Sequence, residues 1–282
     1  MKKVGIIGAG QMGSGIAHVM AQYGFDVVLF DRTQEILDKA LQGIADNMQR
    51  QVTKEKMTAD ARSDALKRFQ LSVTYKDFSA CDVVIEAATE RENLKKEIFT
   101  SLIPHLAPHA YLATNTSSIS ITRLAAVTDR PERFMGLHFM NPVPVMTLIE
   151  LIRGLATSDE TFTFFMDLVK KLERTPAVSN DYPGFIVNRV LMPMINEAIY
   201  ALFEGVANVE SIDQAMKLGT NQPMGPLALA DFIGLDTCLA IMNVLHEGLG
   251  DKYRPCPLLI NYVQAGWLGR KVGRGFYIYD KK

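Results

Sequence analysis

A histidine and a glutamate lie on either side of a proline-rich turn. His138 ends one predicted strand, and Glu150 lies in the next, which runs from Thr147 to Ile152. The residues between them include Asn141-Pro142-Val143-Pro144, a run typical of a turn. If the two strands form a hairpin centred on Pro144, His138 and Glu150 are cross-strand partners on one face. A slip of one residue would place them on opposite faces.

This pair of side chains could carry out acid–base chemistry. Oxidation of a hydroxyl to a carbonyl needs a base beside the carbon that transfers a hydride. A carboxylate that hydrogen-bonds to an imidazole orients the ring and stabilises its protonated form. A lone histidine is more often a structural residue, but of the five histidines only His138 ends a predicted strand at the edge where open α/β sheets bind ligands. We therefore predict that His138 is a base and Glu150 its partner.

A glycine-rich run near the start of the chain predicts a nucleotide site. Gly8-Ala9-Gly10-Gln11-Met12-Gly13 fits the pattern G-x-G-x-x-G between a predicted strand and a predicted helix. The free N–H groups at the helix start would bind the pyrophosphate. Asp31 ends the second predicted strand, where a carboxylate can bind the adenosine ribose and would repel a 2′-phosphate. These residues favour NAD over NADP, a preference that the neighbouring Arg32 weakens slightly.

A short polar run, Asn115-Thr116-Ser117-Ser118, follows the end of a later predicted strand. This position faces a bound cofactor in a doubly wound sheet. Serine, threonine and asparagine also routinely cap the next helix, so Ser118 or Ser120 could be a cap while Ser117 faces the ligand. Spacing alone leaves both alternatives open.

The elements that must position these residues alternate between strand and helix. Strands are predicted at Val4 to Ile7, Val27 to Phe30, Val83 to Glu86, Tyr111 to Thr114 and Phe134 to His138. Repeated β-α-β units predict a doubly wound, Rossmann-type α/β domain.

Two other segments are helical in pattern. The polar segment from about Gln34 to Arg68, with a break at Val52 to Thr58, predicts two helices that form an arm. Helical periodicity also dominates after Tyr182-Pro183-Gly184. We therefore predict a nucleotide-binding domain over residues 1–183 and an all-α domain over residues 184–282.

Composition excludes several classes of function. The formal net charge is −1, which gives no general argument for nucleic acid or membrane as partner, so an anionic ligand needs a local basic patch. The three cysteines are widely spaced, which predicts neither disulfides nor a zinc site. No apolar run is long enough to span a membrane. The first predicted strand starts after Met1, Lys2 and Lys3, so we expect no targeting segment and a cytoplasmic protein.

These motifs together resemble one known family, the short-chain L-3-hydroxyacyl-CoA dehydrogenases, and within it most closely the bacterial enzymes that act on 3-hydroxybutyryl-CoA. The resemblance extends from Val4 to Tyr279. Besides the residues above, it includes Gly136-Leu137-His138-Phe139, Pro183-Gly184-Phe185-Ile186-Val187-Asn188-Arg189, Gly225-Pro226 and Gly269-Arg270-Lys271-Val272-Gly273-Arg274-Gly275-Phe276-Tyr277.

The resemblance implies further roles in catalysis and substrate binding. It implies that His138 is the base and Glu150 its partner, that Ser117 and Asn188 bind the substrate's oxygens, and that Asn115 lies beside the nicotinamide and the thioester. It also implies a homodimer. Large apolar residues of the helical domain, such as Met192, Met194 and Phe203, fit either a dimer interface or a core equally well.

The resemblance also implies ligand contacts that the residue pattern alone does not suggest. Glu90, Lys95, Asn141 and Lys271 match positions that contact NAD; without the resemblance, Glu90, Lys95 and Lys271 are expected to be solvated surface charges. The predicted arm carries Arg50, Lys54 and Lys56, which could neutralise the phosphates of coenzyme A or simply form a solvated helix face. Bacterial relatives have lysine at the position of Arg50, and arginine presents its charge differently.

The function these observations predict is NAD-dependent oxidation of (S)-3-hydroxyacyl-CoA, with short substrates such as 3-hydroxybutyryl-CoA, in a cleft between the two domains. Two alternatives remain. One is a dehydrogenase of the same superfamily that acts on a free hydroxy acid. The other is a non-catalytic protein that keeps the fold, as some lens crystallins do.

Overall fold

A computed structural model describes residues 2–279 of the chain. The predicted domains include Met1 and residues 280–282, which lie outside the described residues. The chain divides into two compact units, the first ending at Tyr182 and the second beginning at Pro183.

The first unit contains an eight-stranded sheet with the order β3-β2-β1-β4-β5-β6-β7-β8. All neighbouring strands are parallel except β6 and β7, which are antiparallel. The first six strands have the order of a Rossmann-type domain, and β7 and β8 extend the sheet beyond β6. The strands are β1 Lys3–Ile7, β2 Asp26–Phe30, β3 Phe69–Ser72, β4 Val83–Glu86, β5 Tyr111–Thr114, β6 Phe134–Phe139, β7 Leu148–Arg153 and β8 Thr175–Asn180.

Helices connect the parallel strands and cover the sheet. They are α1 Gln11–Gln22, α2 Gln34–Thr53, α3 Ala59–Leu66, α4 Glu92–Leu102, α5 Ile121–Ala125 and α6 Asp159–Lys171. The central strands are almost wholly buried, as their unbroken runs of valine, isoleucine and leucine predict for a sheet covered on both faces. Their side chains and those of α1 form the hydrophobic core of this unit.

The predicted arm is a pair of helices, as its sequence pattern indicated. The hydroxyl of Thr33 caps the start of α2 by accepting a hydrogen bond from the N–H of Ile36, and Thr58 caps α3 in the same way. One face of α2 is buried at helical spacing through Leu37, Ala40, Ile44 and Met48. The opposite, polar face is exposed.

The second unit is helical, as predicted, up to Gln264, and an irregular C-terminal segment follows. The helices are α7 Val187–Phe203, α8 Val209–Gly219, α9 Pro226–Ile233, α10 Leu235–Leu249 and α11 Pro257–Gln264. Their apolar faces form a core of their own. Met192 is buried in that core, whereas half of the surface of Phe203 is exposed. The core interpretation is therefore correct for Met192, and Phe203 lies at the surface.

Within residues 2–279, no single helix is long and apolar enough to cross a bilayer. The pair α9 and α10, which has a bend of 99° between its helices, is long and apolar enough when the two are taken together.

Candidate active site

The hairpin of β6 and β7 brings His138 and Glu150 together. The antiparallel register pairs the two residues directly, as the turn centred on Pro144 predicts. Nδ1 of His138 lies 2.7 Å from Oε2 of Glu150. The Glu150 side chain is fully buried, and the His138 residue is 8% exposed. A carboxylate at this distance is an acceptor, so Nδ1 carries the donated proton and Nε2 is the basic nitrogen of the neutral ring.

The glycine-rich run has the conformation that the nucleotide-binding pattern requires. Gly8 has a φ of +100°, and a Cβ atom there would lie 2.6 Å from Cα of Ala88. A Cβ atom on Gly13 would lie 1.8 Å from the carbonyl oxygen of Gly8, so only glycine allows this helix to approach the strand. At Gly10 a Cβ atom would meet no protein atom within 4 Å.

The start of α1 and Asp31 complete this part of the site. Gly10 precedes the helix and offers no side-chain cap to the first N–H groups, which suits an anion. The carboxylate of Asp31 accepts hydrogen bonds from the N–H of Ala9 (2.8 Å) and from its neighbour Arg32 (2.7 Å). A carboxylate beside the glycine-rich loop and open space at Gly10 are what the ribose and pyrophosphate of NAD need.

Glu90 organises the polar segment after β5. Its Oε1 accepts hydrogen bonds from the hydroxyl of Thr116 (2.7 Å), from both the N–H and the hydroxyl of Ser117 (2.8 Å each), and from the hydroxyl of Ser118 (3.3 Å). The cap of α5 is Ser120, whose hydroxyl accepts from the N–H of Arg123. Between the two capping alternatives, the structure therefore selects Ser120.

Asn115 connects this segment to the strand that carries His138. Its side-chain oxygen accepts a hydrogen bond of 2.9 Å from the N–H of Phe139, the residue after His138. The hairpin tip is also attached to the glycine-rich run, because the amide of Gln11 donates to the side-chain oxygen of Asn141 at 3.1 Å. The structure thus brings together His138, Glu150, Asn115, Asn141 and the start of α1 at one edge of the sheet.

Lys95 is a buried charge, contrary to what the residue pattern alone suggests. Its ammonium group forms an ion pair of 2.5 Å with Glu86, and both side chains are fully buried. The residue pattern alone predicts no role for Glu86 beyond the end of a strand. Two features indicate the burial of this pair. Glu86 ends an apolar strand, and Lys95 shares the buried face of α4 with Phe99 and Leu102.

A cavity of about 520 Å³ lies beside the glycine-rich run, and residues of α1, α2 and the hairpin tip line it. His18 and Asn47 are among its polar residues, with Lys39 as a cation. Burial lowers the pKa of His18 to about 4, and its ring contacts the side-chain amide of Gln51 on α2. Its imidazole is therefore neutral at ordinary pH.

The remaining predicted residues lie around the end of α2 and in the second unit. Arg50, Lys54 and Lys56 are exposed at and after the end of α2. In the second unit, Asn188 is buried in the first turn of α7, and the ammonium of Lys271 forms a bidentate ion pair with Asp236 (2.5 and 2.6 Å). No group of three histidine, cysteine, aspartate or glutamate side chains within residues 2–279 is arranged to hold a metal ion.

Comparison with known proteins identifies the family. Residues 3–182 match the model of the 3-hydroxyacyl-CoA dehydrogenase NAD binding domain, and residues 184–279 match that of the 3-hydroxyacyl-CoA dehydrogenase C-terminal domain. The chain is 62% identical to a 3-hydroxybutyryl-CoA dehydrogenase of Bradyrhizobium diazoefficiens, with 99% of this chain and 96% of the relative covered. It is 42% identical to the mitochondrial hydroxyacyl-coenzyme A dehydrogenase of Homo sapiens, over 99% and 91%.

Solved structures agree with these matches. A crystal structure of (S)-3-hydroxybutyryl-CoA dehydrogenase from Ralstonia eutropha superposes with a TM-score of 0.98 at 51% identity, and the alignment covers 100% of both chains. The glycine-rich loop, Asp31 and the strand order are those of an NAD-binding domain. The chain therefore belongs to the 3-hydroxyacyl-CoA dehydrogenase family and is an NAD-dependent oxidoreductase.

Proposed function

We propose that this enzyme oxidises (S)-3-hydroxyacyl-CoA thioesters to 3-oxoacyl-CoA and catalyses the reverse reduction, with 3-hydroxybutyryl-CoA as substrate. The observation that carries the proposal is the hydrogen bond between His138 and buried Glu150 at the edge of an NAD-binding sheet. The 3-hydroxybutyryl-CoA dehydrogenases to which the chain is 62% and 55% identical support the choice of substrate.

His138 is the group that moves the proton. In oxidation, Nε2 takes the proton of the substrate's C3 hydroxyl while the C3–H bond breaks and the carbonyl forms. NAD, when bound, accepts the hydride from C3. Glu150 accepts the Nδ1–H hydrogen bond and stabilises the imidazolium that results, without taking the proton itself. In the reverse direction the imidazolium returns its proton to the carbonyl oxygen.

Substrate orientation depends on polar side chains. Ser117 and Asn188 bind the C3 oxygen and the thioester carbonyl, and Asn115 lies beside the reacting groups. Glu90 supports this arrangement because it fixes Ser117 through two hydrogen bonds. The three cations of the α2 arm, Arg50, Lys54 and Lys56, bind the phosphates of coenzyme A, which an otherwise nearly neutral protein must attract locally.

The first unit carries the NAD site. Asp31 binds the adenosine ribose and gives a preference for NAD over NADP. The other contacts of this unit come from Gly8 to Gly13, Glu90, Lys95, Asn115, Ser117 and Asn141, and Lys271 is a further contact from the second unit. The second unit contributes Asn188 and the subunit interface of a homodimer. Exposed apolar side chains on that unit, including Val190 (68% exposed) and Leu218 (76%), support an interface there. The dimer acts in the cytoplasm.

A substrate panel tests the proposal. NADH oxidation is followed with acetoacetyl-CoA, with longer 3-oxoacyl-CoA thioesters and with free acetoacetate, and each assay is repeated with NADPH. We expect fast turnover with acetoacetyl-CoA and NADH and little with acetoacetate. Reduction of acetoacetate alone would identify a dehydrogenase of free hydroxy acids, and no turnover with any substrate would support the non-catalytic alternative. Equal efficiency with NADPH would contradict the role of Asp31.

A further inference from the structure

A buried ion pair below the cofactor edge of the sheet has no part in the acid–base chemistry. Glu86 ends β4, and Lys95 lies on α4. Their charged groups are 2.5 Å apart, and both side chains are 0% exposed. The hydroxyl of Thr114 lies between them: it accepts from the Lys95 ammonium at 3.2 Å and donates to Glu86 at 2.7 Å.

Stability gives a weak reason for such a pair. Transferring two charges from water into a protein interior costs several kilocalories per mole for each ion, and replacing a buried pair with apolar groups of similar size is often neutral or stabilising. Removing only one partner is strongly destabilising because it leaves a buried charge alone. The contacts of the pair with the surrounding backbone offer a second reason for its presence.

One oxygen of Glu86 fixes the backbone behind the glycine-rich loop. Oε1 accepts a hydrogen bond of 2.8 Å from the N–H of Ala88. Ala88 packs against the glycine-rich loop, because a Cβ atom added to Gly8 would lie only 2.6 Å from Cα of Ala88. The position of Ala88 thus sets how the phosphate-binding turn lies on the sheet.

The other side of the pair fixes the segment that begins at Asn115. The Lys95 ammonium donates to the carbonyl oxygen of Asn115 at 3.3 Å. The Asn115 side chain in turn accepts from the N–H of Phe139, next to His138. Glu86 and Lys95 are therefore linked by hydrogen bonds to both halves of the cofactor site, the phosphate-binding turn and the segment beside the base.

We propose that Glu86 and Lys95 are positioning residues that fix the glycine-rich loop and the segment 115–118 relative to each other. A dinucleotide held by both would take its position from them, so their relative placement would decide how well its reactive ring is aligned with the substrate. Lys95 contributes to this positioning through its contacts with Glu86, Thr114 and Asn115. This inference rests on the proposed function, since hydride transfer is the step that the positioning serves.

A neutral replacement of the whole pair separates positioning from stability. In Glu86→Gln/Lys95→Met no charge is left alone, so we expect a melting temperature close to that of the wild type, whereas Lys95→Met by itself should melt much lower. The double variant loses the donor to Asn115. We expect its kcat to fall on the order of 10- to 100-fold, as a displacement of about 1 Å can produce.

Two further readouts identify the step that is affected. A substrate deuterated at C3 should show a larger kinetic isotope effect on kcat in the double variant than in the wild type, because hydride transfer becomes slower. The dissociation constant of NAD, measured by calorimetry, should change less than kcat. The control is Glu92→Gln/Lys96→Met, the same substitutions in the part-exposed ion pair on α4, which should leave kcat unchanged.

Several outcomes would overturn the inference. Wild-type kcat and isotope effect in the double variant would mean that the pair only stabilises the fold. A weaker NAD affinity with kcat unchanged would mean that the pair serves cofactor binding and does not position the reacting groups. If the double variant does not fold, Thr114→Val removes the bridging hydroxyl, and an unchanged kcat and isotope effect there would have the same meaning. Failure of the proposed function is recognised separately, because then the wild type itself does not reduce acetoacetyl-CoA.

Discussion

Both units of this protein bury carboxylates, but they give them different partners. In the first unit, Glu150 faces an imidazole and Glu86 faces an ammonium group, at the edge of the sheet where the glycine-rich loop lies. In the second unit, Asp213 and Asp231 are as deeply buried, 5% and 1% exposed. Burial of an acid therefore cannot by itself identify a site.

The two aspartates of the second unit satisfy backbone groups. Asp213 accepts from the N–H groups of Leu227 and Ala228 at the start of α9, and from the hydroxyl of Tyr277. Asp231 accepts from two N–H groups of the C-terminal segment and from the hydroxyl of Tyr279. Burial and the nearby carboxylate raise the pKa of Tyr279 to about 12, so its hydroxyl remains a donor.

Two glycines pack closely against these aspartates, which also indicates a structural role for the acids. A Cβ atom at Gly225 would lie 2.3 Å from Cβ of Asp213, and one at Gly275 would lie 1.9 Å from a carboxylate oxygen of Asp231. In two motifs of the second unit, therefore, a glycine leaves the space that a buried aspartate occupies. From this difference we expect that buried acids paired with an imidazole or an ammonium group serve the reaction, directly or by positioning, and that buried acids paired with backbone N–H groups and tyrosine hydroxyls serve the fold.

The largest expected effect that tests this comparison is that of His138→Gln. Without the base, we expect kcat to fall on the order of 100-fold or more, the usual size of an acid–base contribution, with little change in NAD affinity or melting temperature. Stopped-flow or steady-state assays with acetoacetyl-CoA measure the loss. The exposed residue His109 provides the control, since His109→Gln should retain normal turnover. Near-normal turnover of His138→Gln would refute the assigned base.

A smaller loss is expected for Glu150→Gln. The glutamine can still contact Nδ1, but it no longer stabilises the protonated ring, so kcat should fall on the order of tenfold or more. The pH profile of kcat should move to lower pH, because the imidazolium has lost its carboxylate partner. Glu160→Gln, a change in an exposed acid of the same unit, is the control. A profile identical to that of the wild type would mean that Glu150 is only structural.

Asp213→Asn should produce the opposite pattern. An asparagine cannot accept all three hydrogen bonds, so the free energy of unfolding should fall by about 1–3 kcal/mol while kcat of the folded enzyme stays within about twofold of the wild type. Urea denaturation and steady-state assays measure the two quantities. The exposed Asp251 supplies the control Asp251→Asn. A loss of kcat without loss of stability would place this region in the active site and end the distinction between the units.

The smallest effect is expected for His18, a buried titratable group of the first unit outside the hydrogen-bond network of His138. Its pKa of about 4 in the folded state lies below the ordinary value of 6.5, so the unfolded state binds its proton first. Stability should therefore fall as the pH decreases from about 6.5 to about 4, by about 1.4 kcal/mol per pH unit from this group. Well above pH 6.5, where the ring is neutral in both states, this group should contribute no pH dependence.

Urea denaturation of the wild type and His18→Gln at pH 7 and pH 5 isolates this contribution. Gln22, Gln51 and the cation Arg174 surround the ring, and Arg174 opposes its protonation. The variant should lose less stability than the wild type between the two pH values. An equal loss in both proteins would show that protonation of His18 does not lower the free energy of unfolding.

Much of the first unit could be predicted from its sequence. Buried strands have unbroken apolar runs, and the proline-rich turn fixed the register that pairs His138 with Glu150. The strands that sequence analysis missed, β3 and β8, lie at the two edges of the sheet. Edge strands are only partly buried, so their residues, such as Thr175-Pro176-Ala177-Val178-Ser179-Asn180, lack the apolar run that marks a central strand.

The burial of Glu86 and Lys95 could not be predicted in the same way. In sequence, α4 is a helix rich in charged residues, and a lysine in such a helix is usually solvated. What buries Lys95 is a carboxylate on a different element, and this pairing depends on how the helix lies on the sheet. The fixing of Ser117 by Glu90 is of the same kind, since the two residues come from different loops.

The glycine-rich loop has a practical consequence for work on this enzyme. Gly13 is required by the protein itself, because any side chain there would collide with the carbonyl oxygen of Gly8. Gly10 has an ordinary extended backbone, with a φ of −72°, and open space where its side chain would be. A bulkier residue at this position should yield a correctly folded protein that excludes the dinucleotide. Gly10→Val would thus be a cofactor-free reference for binding and assembly experiments.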